Sequence, residues 1–258
     1  MSANFFETSA RSAIGLVRQG NEDSAYLSPQ LIAVADGMGG HAAGEVASRI
    51  AVQVLQRLTP TLTATDIDED SVSDLLMHSL HSIDAEIAAV AVEEIEKRGM
   101  GTTLTALLVR EKSIALLHVG DSRCYRLRGG SLEQLSNDHT VIQELLDQGA
   151  ISEAEAAEHP QRSMLTQALR GDGDVTPVLQ VYEAKKGDRF LLCSDGLSGV
   201  LTEKEIKIGL KKSEKDEAVK FLVDATYING APDNVTVLIA DISSDVNETT
   251  QLLGAAYD

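Results

Sequence analysis

The stretch LIAVADGMGGHAAGE, residues 31–45, places one acidic residue at the junction of a strand and a helix. Residues 31–35 are all apolar and predict a short buried strand that delivers Asp36 at its end. The glycines at positions 37, 39 and 40 carry no Cβ, so the backbone there can approach a ligand closely. Apolar residues then recur every three or four positions, which predicts an amphipathic helix over 42–58 that stops before Pro60.

The same arrangement of an acid beside an apolar run recurs along the chain. Asp121 follows the run IALLHV, Asp195 follows FLLC, and Asp233 stands just before NVTVLIA. A single acid at a strand end favours a tight turn and nothing more, and that interpretation stays open for Asp121. Several such acids in one small domain instead favour ligands for hard cations.

Six short motifs give the chain a family resemblance. It resembles the bacterial form of the metal-dependent protein serine/threonine phosphatases of type 2C, the PPM family. The motifs that carry the resemblance are GLVRQGNEDS (15–24), VADGMGGH (34–41), GTTL (101–104), VGDSR (119–123), SDGL (194–197) and DNVTV (233–237). Their order and spacing cover residues 8–241, so the match is far more specific than any single motif.

The composition limits the class of protein. Hydrophobic residues make up 43% of the 258 residues, enough for a sizeable core, and no Trp is present. The formal charge of −18 argues against nucleic acid as a partner, because phosphate backbones require a basic face. Cys124 and Cys193 have no CxxC or zinc spacing and suit a reducing cytoplasm. No run approaches the ~20 apolar residues of a membrane-spanning helix, and residues 1–20 lack the apolar core of a signal peptide.

The strand pattern predicts the layers of the fold. A first strand is expected over residues 5–13, and residues 102–128 read as a meander of strands joined by short turns. Its apolar runs lack a polar alternate face, so both faces have to be covered. We therefore expect an α+β fold, a four-layer α-β-β-α sandwich of two antiparallel β-sheets flanked by helices, with a flap insertion, which is also the family fold.

Three other segments complete the organisation. The stretch TATDIDEDSVSD, residues 63–74, resembles the start of a calcium loop but has Ser71 where a Gly is needed and, further on, Met77 where a Glu is needed. We interpret it as a solvated connector and expect a second long helix after it, with Val72, Leu76 and Leu80 on its apolar stripe. A capping box at Thr202 and Glu205 opens one helix, and another is expected over 215–228. We expect residues 1–243 to form a single phosphatase catalytic domain with a flap subdomain at 136–177, or an ordinary surface insertion there. Residues 244–258 are expected to be a polar C-terminal tail without a regular element.

The resemblance implies a metal site and a set of ligands. Oxygen ligands without histidine or thiolate select Mn2+ or Mg2+ over zinc. By family correspondence, Asp36 bridges two core ions, the carbonyl of Gly37 holds one, and Asp195 and Asp233 hold the other. The remaining metal-associated residues are Asp121, which joins Asp195 in a weaker third site, and the pair Glu22 and Asp23, which hold metal-bound waters.

The same resemblance assigns two residues to the reaction. Arg18 is placed against the substrate phosphate, where a guanidinium can donate two parallel hydrogen bonds, whereas a lone surface arginine is otherwise a solvated charge. His41 corresponds to a position proposed to protonate the leaving alkoxide, with a surface or capping histidine as the alternative.

The implied function is hydrolysis of phosphoserine and phosphothreonine esters in proteins. The attacking group is a hydroxide held between two Mn2+ or Mg2+ ions, without a covalent enzyme intermediate. The alternatives are a catalytically inactive relative that binds phosphoproteins and a hydrolase of small phosphate esters. Expected partners are phosphorylated proteins, among them serine/threonine kinases and their targets. We expect a monomer in the cytoplasm, or the cytoplasmic domain of a membrane-anchored protein if the sequence is truncated.

Overall fold

The computed structural model describes residues 4–39, 43–157, 159–245 and 249–257. The strands are β1 (Phe5–Ala13), β2 (Asp23–Leu27), β3 (Leu31–Met38), β4 (Gly101–Thr102), β5 (Leu104–Val109), β6 (Ser113–Val119), β7 (Arg123–Arg128), β8 (Ser131–Gln134), β9 (Val178–Glu183), β10 (Arg189–Cys193), β11 (Val235–Ser243) and β12 (Gln251–Gly254). The helices are α1 (Gly44–Leu62), α2 (Glu69–Glu93), α3 (Val141–Asp147), α4 (Glu153–Ala157), α5 (Asp195–Ser198), α6 (Glu203–Leu210) and α7 (Lys215–Ile228), with a 3-10 turn at Ile95–Lys97.

Two antiparallel sheets lie face to face in the centre of the molecule. The first has the strand order β1-β11-β10-β7-β8, and the second has the order β12-β2-β3-β5-β6-β9, with the short β4 paired to β3. Apolar side chains from both inner faces, such as Phe6, Phe190 and Ile32, pack between the sheets. This arrangement is the aligned sheet-on-sheet packing expected for a sandwich.

Helices cover the two outer faces of the sheets. On the second sheet, α1 and α2 bury one continuous apolar cluster that includes Leu55, Leu76 and Leu104. On the first sheet, α5, α6 and α7 bury a separate cluster that includes Leu197, Leu222 and Ile239. The layers therefore run helix, sheet, sheet, helix, and the predicted α+β sandwich is confirmed.

The helices differ from the predicted ones at one end. The first helix does not stop before Pro60 but includes that residue and ends at Leu62. A proline in the last turn removes only one internal hydrogen bond, so the buried apolar contacts extend the helix past it. The capping box of α6 forms as predicted, with Thr202 and Glu205 bonded reciprocally.

The acidic connector is shorter than predicted, because α2 begins at Glu69 and buries Val72 and Leu76. The side chain of Asp68 accepts a hydrogen bond from the backbone N–H of Ser71 at 2.8 Å and caps α2. By length and apolar composition alone, α2 could also cross a membrane. Its buried residues, however, pack against α1 and the sheet, as in the core helix of a globular domain.

The predicted meander over residues 102–128 is wrong after its first hairpin. β5 and β6 pair with each other in the second sheet, but β7 pairs with β10 in the first sheet. The three residues between β6 and β7 therefore carry the chain from one sheet to the other. This crossing puts Asp121 at the junction of the two sheets.

The expectation of a tail without a regular element is also wrong. Residues Gln251–Gly254 form β12, which pairs antiparallel with β2 at the edge of the second sheet. The amide of Ala255 donates a hydrogen bond to the carbonyl of Asp23 at 2.8 Å. The segment after residue 243 thus supports the strand that begins with one of the predicted site acids.

Gly254 gives a test of this contribution. Its φ is +68°, and an added Cβ would lie 2.1 Å from the carbonyl oxygen of Asp23. Gly130, in the turn between β7 and β8, has a φ of +82° but nothing within 4 Å of an added Cβ. We expect Gly254→Ala to lower the free energy of unfolding in urea by about 3 kcal/mol and Gly130→Ala by about 1 kcal/mol. Equal losses would mean that β12 does not hold Asp23 in place.

Candidate active site

Acidic residues from both sheets meet at one end of the sandwich. Asp36 lies near the end of β3, Asp121 follows β6, Asp195 follows β10, and Asp233 precedes β11. A cavity of about 560 Å³ is lined by seven of the nine predicted site residues, which are Arg18, Glu22, Asp36, Gly37, Asp121, Asp195 and Asp233. Strands of two different sheets therefore contribute to a single acidic cavity.

Two predicted site residues remain, Asp23 and His41. Asp23 is buried, pairs with Asp36 in the ladder between β2 and β3, and does not line the cavity. His41 lies outside the described residues, so its assignment as a proton donor remains a prediction from the sequence.

The backbone of Asp36 is fixed by two threonines of the motif GTTL. The amide of Asp36 donates to Thr103 Oγ1 at 3.0 Å, and its carbonyl accepts from the Thr103 amide at 2.9 Å and from Thr102 Oγ1 at 3.0 Å. Thr103 Oγ1 also lies 2.6 Å from Ser122 Oγ, next to Asp121. The sequence pointed to this motif but assigned these hydroxyls no role.

Asn234 holds the loop that carries Arg18 and Glu22. Its Oδ1 accepts a hydrogen bond from the amide of Glu22 at 2.8 Å. Its Nδ2 donates to the carbonyls of Ile14 and Gly20 at 2.9 and 2.8 Å. One amide side chain at the start of β11 therefore positions two cavity residues from a distant part of the sequence.

Arg18 forms an ion pair with one of the predicted metal ligands. Its Nη2 lies 2.7 Å from Asp233 Oδ2, and the two side chains are 51% and 32% exposed. The hydrogen bond to Asp233 raises the pKa of Arg18 above its usual range. Because the pair is open to solvent, it contributes at most about 1 kcal/mol, and Arg18 can exchange it for another anion.

Asp23 is buried behind the cavity. Its Oδ2 accepts a hydrogen bond from Ser194 Oγ at 2.7 Å, whereas its Oδ1 has no hydrogen-bond partner among the described residues. Burial raises the pKa of Asp23 to about 7, and repulsion from Asp195 and Asp233 adds to this shift. A buried acceptor without a donor is costly unless a cation or an ordered water satisfies it.

The carboxyl groups of the cavity are destabilised as anions. Burial raises the pKa of Asp121 to about 7, and repulsion from Asp195 acts in the same direction. Burial also raises the pKa of Asp36 and of Asp195, with further repulsion from neighbouring aspartates. Carboxylates gathered in this way require positive charge, because like charges at short range resist ionisation together.

The donor set fits Mn2+ or Mg2+. The predicted ligands offer only carboxylate and carbonyl oxygens, and the described lining of the cavity contains no histidine or cysteine. As they stand, the described histidine, cysteine and acidic side chains include no group of three that could hold a metal ion. The carboxylates would therefore have to draw together around the cations that they bind.

The segment 136–177 lies against the cavity. Ser163, Met164, Leu165 and Arg170 belong to its lining, and none of them was predicted as a site residue. A second cleft of about 710 Å³ shares Asp121, Asp195 and Asp233 and continues beneath the same segment. The sequence indicated the segment through its break in strand rhythm but could not show which of its side chains face the acids.

Comparison with known proteins gives consistent matches. A family model described as Protein phosphatase 2C matches residues 19–227. The chain is 44% identical over 251 residues to the serine/threonine protein phosphatase PstP of Mycobacterium tuberculosis, covering 96% of this chain and 47% of that protein. It is 36% identical over 242 residues to the serine/threonine phosphatase stp of Listeria monocytogenes, covering 90% of this chain and 94% of that protein.

A solved structure matches the fold over most of its length. The crystal structure of the catalytic domain of PstP, in complex with two manganese ions, superposes with a TM-score of 0.84 at 41% identity. The match covers 93% of this chain and 99% of that chain. The chain thus spans about half the length of the full mycobacterial protein that it resembles.

The raised pKa values of Asp23 and Asp121 predict how pH affects stability. An aspartate in an unfolded chain has a pKa of about 4. Between about pH 4 and 7, the folded protein therefore binds more protons than the unfolded chain. The stabilisation that proton binding by these two aspartates gives the folded state is therefore present at acidic pH and is lost as the pH rises through about 7. In excess chelator we expect a midpoint of thermal unfolding several degrees lower at about pH 8 than at about pH 5.5, and Mn2+ at about pH 8 to raise it.

The matched controls for this measurement are two aspartate variants. Asp121→Asn should weaken the pH dependence in chelator, since only the contribution of Asp23 remains, whereas Asp66→Asn, at an exposed position of the connector, should leave it as it is. A midpoint that stays constant or rises between the two pH values would contradict the prediction.

Proposed function

The chain belongs to the protein phosphatase 2C family, and from this we propose that it is a metal-dependent protein serine/threonine phosphatase. The observation that carries the proposal is the meeting of Asp36, Asp121, Asp195 and Asp233 with Arg18 in one cavity. Acidic ligands for cations and a guanidinium for phosphate are the two parts that metal-assisted hydrolysis of a phosphate ester requires.

We assign the aspartates to cation binding. Asp36, the carbonyl of Gly37, Asp195 and Asp233 would hold two Mn2+ or Mg2+ ions, with Asp36 shared between them. When bound, two such ions activate a water for attack on phosphorus and neutralise charge that develops on the phosphate oxygens. Asp121 would join Asp195 in a weaker third site, and Glu22 and Asp23 would hold waters around the ions.

Arg18 binds the phosphate of the substrate in this proposal. A guanidinium can donate two parallel hydrogen bonds to phosphate oxygens and so fix the orientation of the phosphorus atom. Its ion pair with Asp233 holds the side chain at the cavity and is weak enough to exchange. His41 remains the proposed donor of a proton to the leaving alkoxide.

One observation supports a phosphate ester on a protein as the substrate, and a second supports water as the attacking group. Arg18 is half exposed, so a phosphorylated side chain on a protein surface can reach it without entering a deep pocket. Burial raises the pKa of Cys193, two residues before Asp195, to about 12, which removes this thiol as a nucleophile. Both features favour direct attack by water on an exposed phosphoserine or phosphothreonine.

The cellular setting is part of the proposal. Candidate substrates are serine/threonine kinases and their phosphorylated targets, and the chain acts as a monomer. Cys124 and Cys193 are buried and free, which fits a reducing cytoplasm.

Replacing one metal ligand tests the assignment. Phosphate release from a phosphothreonine peptide should require added Mn2+ and be abolished by chelator. Asp195→Asn should lower kcat/KM by at least about 100-fold, because it removes a charge that holds a cation at the reacting phosphate. Asp66→Asn makes the same chemical change at an exposed position and should retain the activity. Near-normal release by folded Asp195→Asn protein would overturn the metal assignment.

Arg18→Ala tests phosphate binding separately. We expect a KM for the phosphothreonine peptide about tenfold higher, with a smaller change in kcat, because a charge-assisted bidentate contact is lost. Arg18→Lys keeps the positive charge but cannot donate two parallel hydrogen bonds, so its KM should lie between those of the wild-type protein and Arg18→Ala. Arg11→Ala, an exposed arginine on β1 outside the cavity, is the control. An unchanged KM in Arg18→Ala would remove this role.

A further inference from the structure

The main chain at Arg170 is held on α2 by one carboxylate. Asp84, only 8% exposed, accepts hydrogen bonds at Oδ1 from the amides of Arg170 and Gly171 at 3.1 and 2.6 Å. Its Oδ2 accepts from the amide of Gly173 at 2.8 Å. Three charge-assisted hydrogen bonds to one side chain fix this turn of the segment 136–177.

A second set of contacts ties the same turn to the active site. Leu169 and Thr102 exchange two backbone hydrogen bonds of 2.9 Å, and Thr102 also donates to the carbonyl of Asp36. A Cβ added at Gly171 would lie 2.6 Å from the amide nitrogen of Ala88 on α2, so the turn packs tightly there. The backbone of Arg170 is therefore positioned relative to Asp36.

The N–H groups of the Arg170 guanidinium donate to no acidic side chain among the described residues. It lines the same cavity as Arg18, and its one side-chain polar contact among the described residues is Nη2 to Met38 Sδ at 3.9 Å. No described carboxylate lies within salt-bridge distance of it. In a chain of net charge −18, an arginine whose backbone is held in place and whose guanidinium has no acidic partner among the described residues is available to bind an incoming anion.

We propose that Arg170 binds a second anionic group of the substrate while Arg18 binds the phosphate to be removed. The substrate class is then a phosphoprotein segment with an acidic side chain or another phosphorylated residue near the scissile phosphate. Asp84 acts as a positioning residue for Arg170. This inference rests on the proposed phosphatase function and names the substrates that it favours.

The size of the cavity limits the spacing of the two groups. A cavity of 560 Å³ is about 10 Å across, a distance that an extended peptide covers in about three residues. Because Arg170 is exposed, its contribution is that of a solvent-accessible ion pair, about a fivefold gain in affinity.

The experiment measures binding with peptides that cannot be hydrolysed. Each peptide carries a phosphonate in place of the phosphothreonine, with Mn2+ present, and has a neutral residue, a glutamate or a second phosphonate three positions away on either side. The wild-type protein should bind the anionic peptides about fivefold more tightly than the neutral one. Arg170→Ala should reduce this ratio to about one, Arg170→Lys should retain part of it, and Arg11→Ala should keep it whole.

Asp84→Asn tests the positioning role. It should reduce the same ratio while binding of the neutral peptide stays close to wild type, whereas general loosening of the fold would weaken the binding of both kinds of peptide. Comparison of the glutamate and phosphonate arms identifies which anionic group is preferred.

The outcomes separate this inference from the function on which it rests. Equal wild-type affinities for neutral and anionic peptides, no measurable binding, or an Arg170→Ala variant that keeps the preference would overturn the inference. A preference that depends on Arg170, in a protein that releases no phosphate from phosphothreonine peptides with Mn2+, would support the inference as a binding property and overturn the phosphatase function.

Discussion

Repulsion between aspartates at one end of the sandwich is the constraint on which the site depends. Asp36, Asp121 and Asp195 are partly buried near one another, and desolvation with mutual repulsion raises the pKa of each. Such an arrangement opposes folding unless protons or cations neutralise it. The two sheets supply the rigidity that holds these groups together. Each acid lies at the end of a strand that is hydrogen-bonded to a neighbouring strand on both sides.

Neutral polar groups orient the acids without neutralising their charge. Thr103 fixes the backbone of Asp36, Asn234 fixes the loop of Glu22, and Ser194 donates to Asp23. Arginine side chains in these positions would form ion pairs and compete with cations for the carboxylates. Hydroxyl and amide donors therefore keep the geometry and leave the negative charge available for metal ions.

Local sequence patterns predicted the elements well because burial periodicity and capping are local signals. The strand Phe5–Ala13 and the helix Lys215–Ile228 have the predicted bounds. The crossing from β6 to β7 was missed, because three residues can join strands of one sheet or of two, and the choice depends on distant partners. β12 was missed because four residues at an edge carry too little apolar pattern, and its pairing depends on the close fit of Gly254 against Asp23.

The candidate site was predicted where an acid ends a strand and missed where a residue acts through its surroundings. Arg18 was predicted only through the family motif and Arg170 was not predicted, since both are exposed arginines in loops with no local pattern that indicates a ligand. In the structure Arg18 is paired with Asp233, whereas Arg170 is fixed through its backbone by Asp84 and keeps its guanidinium unpaired among the described residues. The guanidinium of Arg18 must leave Asp233 to bind phosphate, whereas that of Arg170 has no ion pair to break. The two arginines can therefore bind different anionic groups of one substrate at different energetic cost.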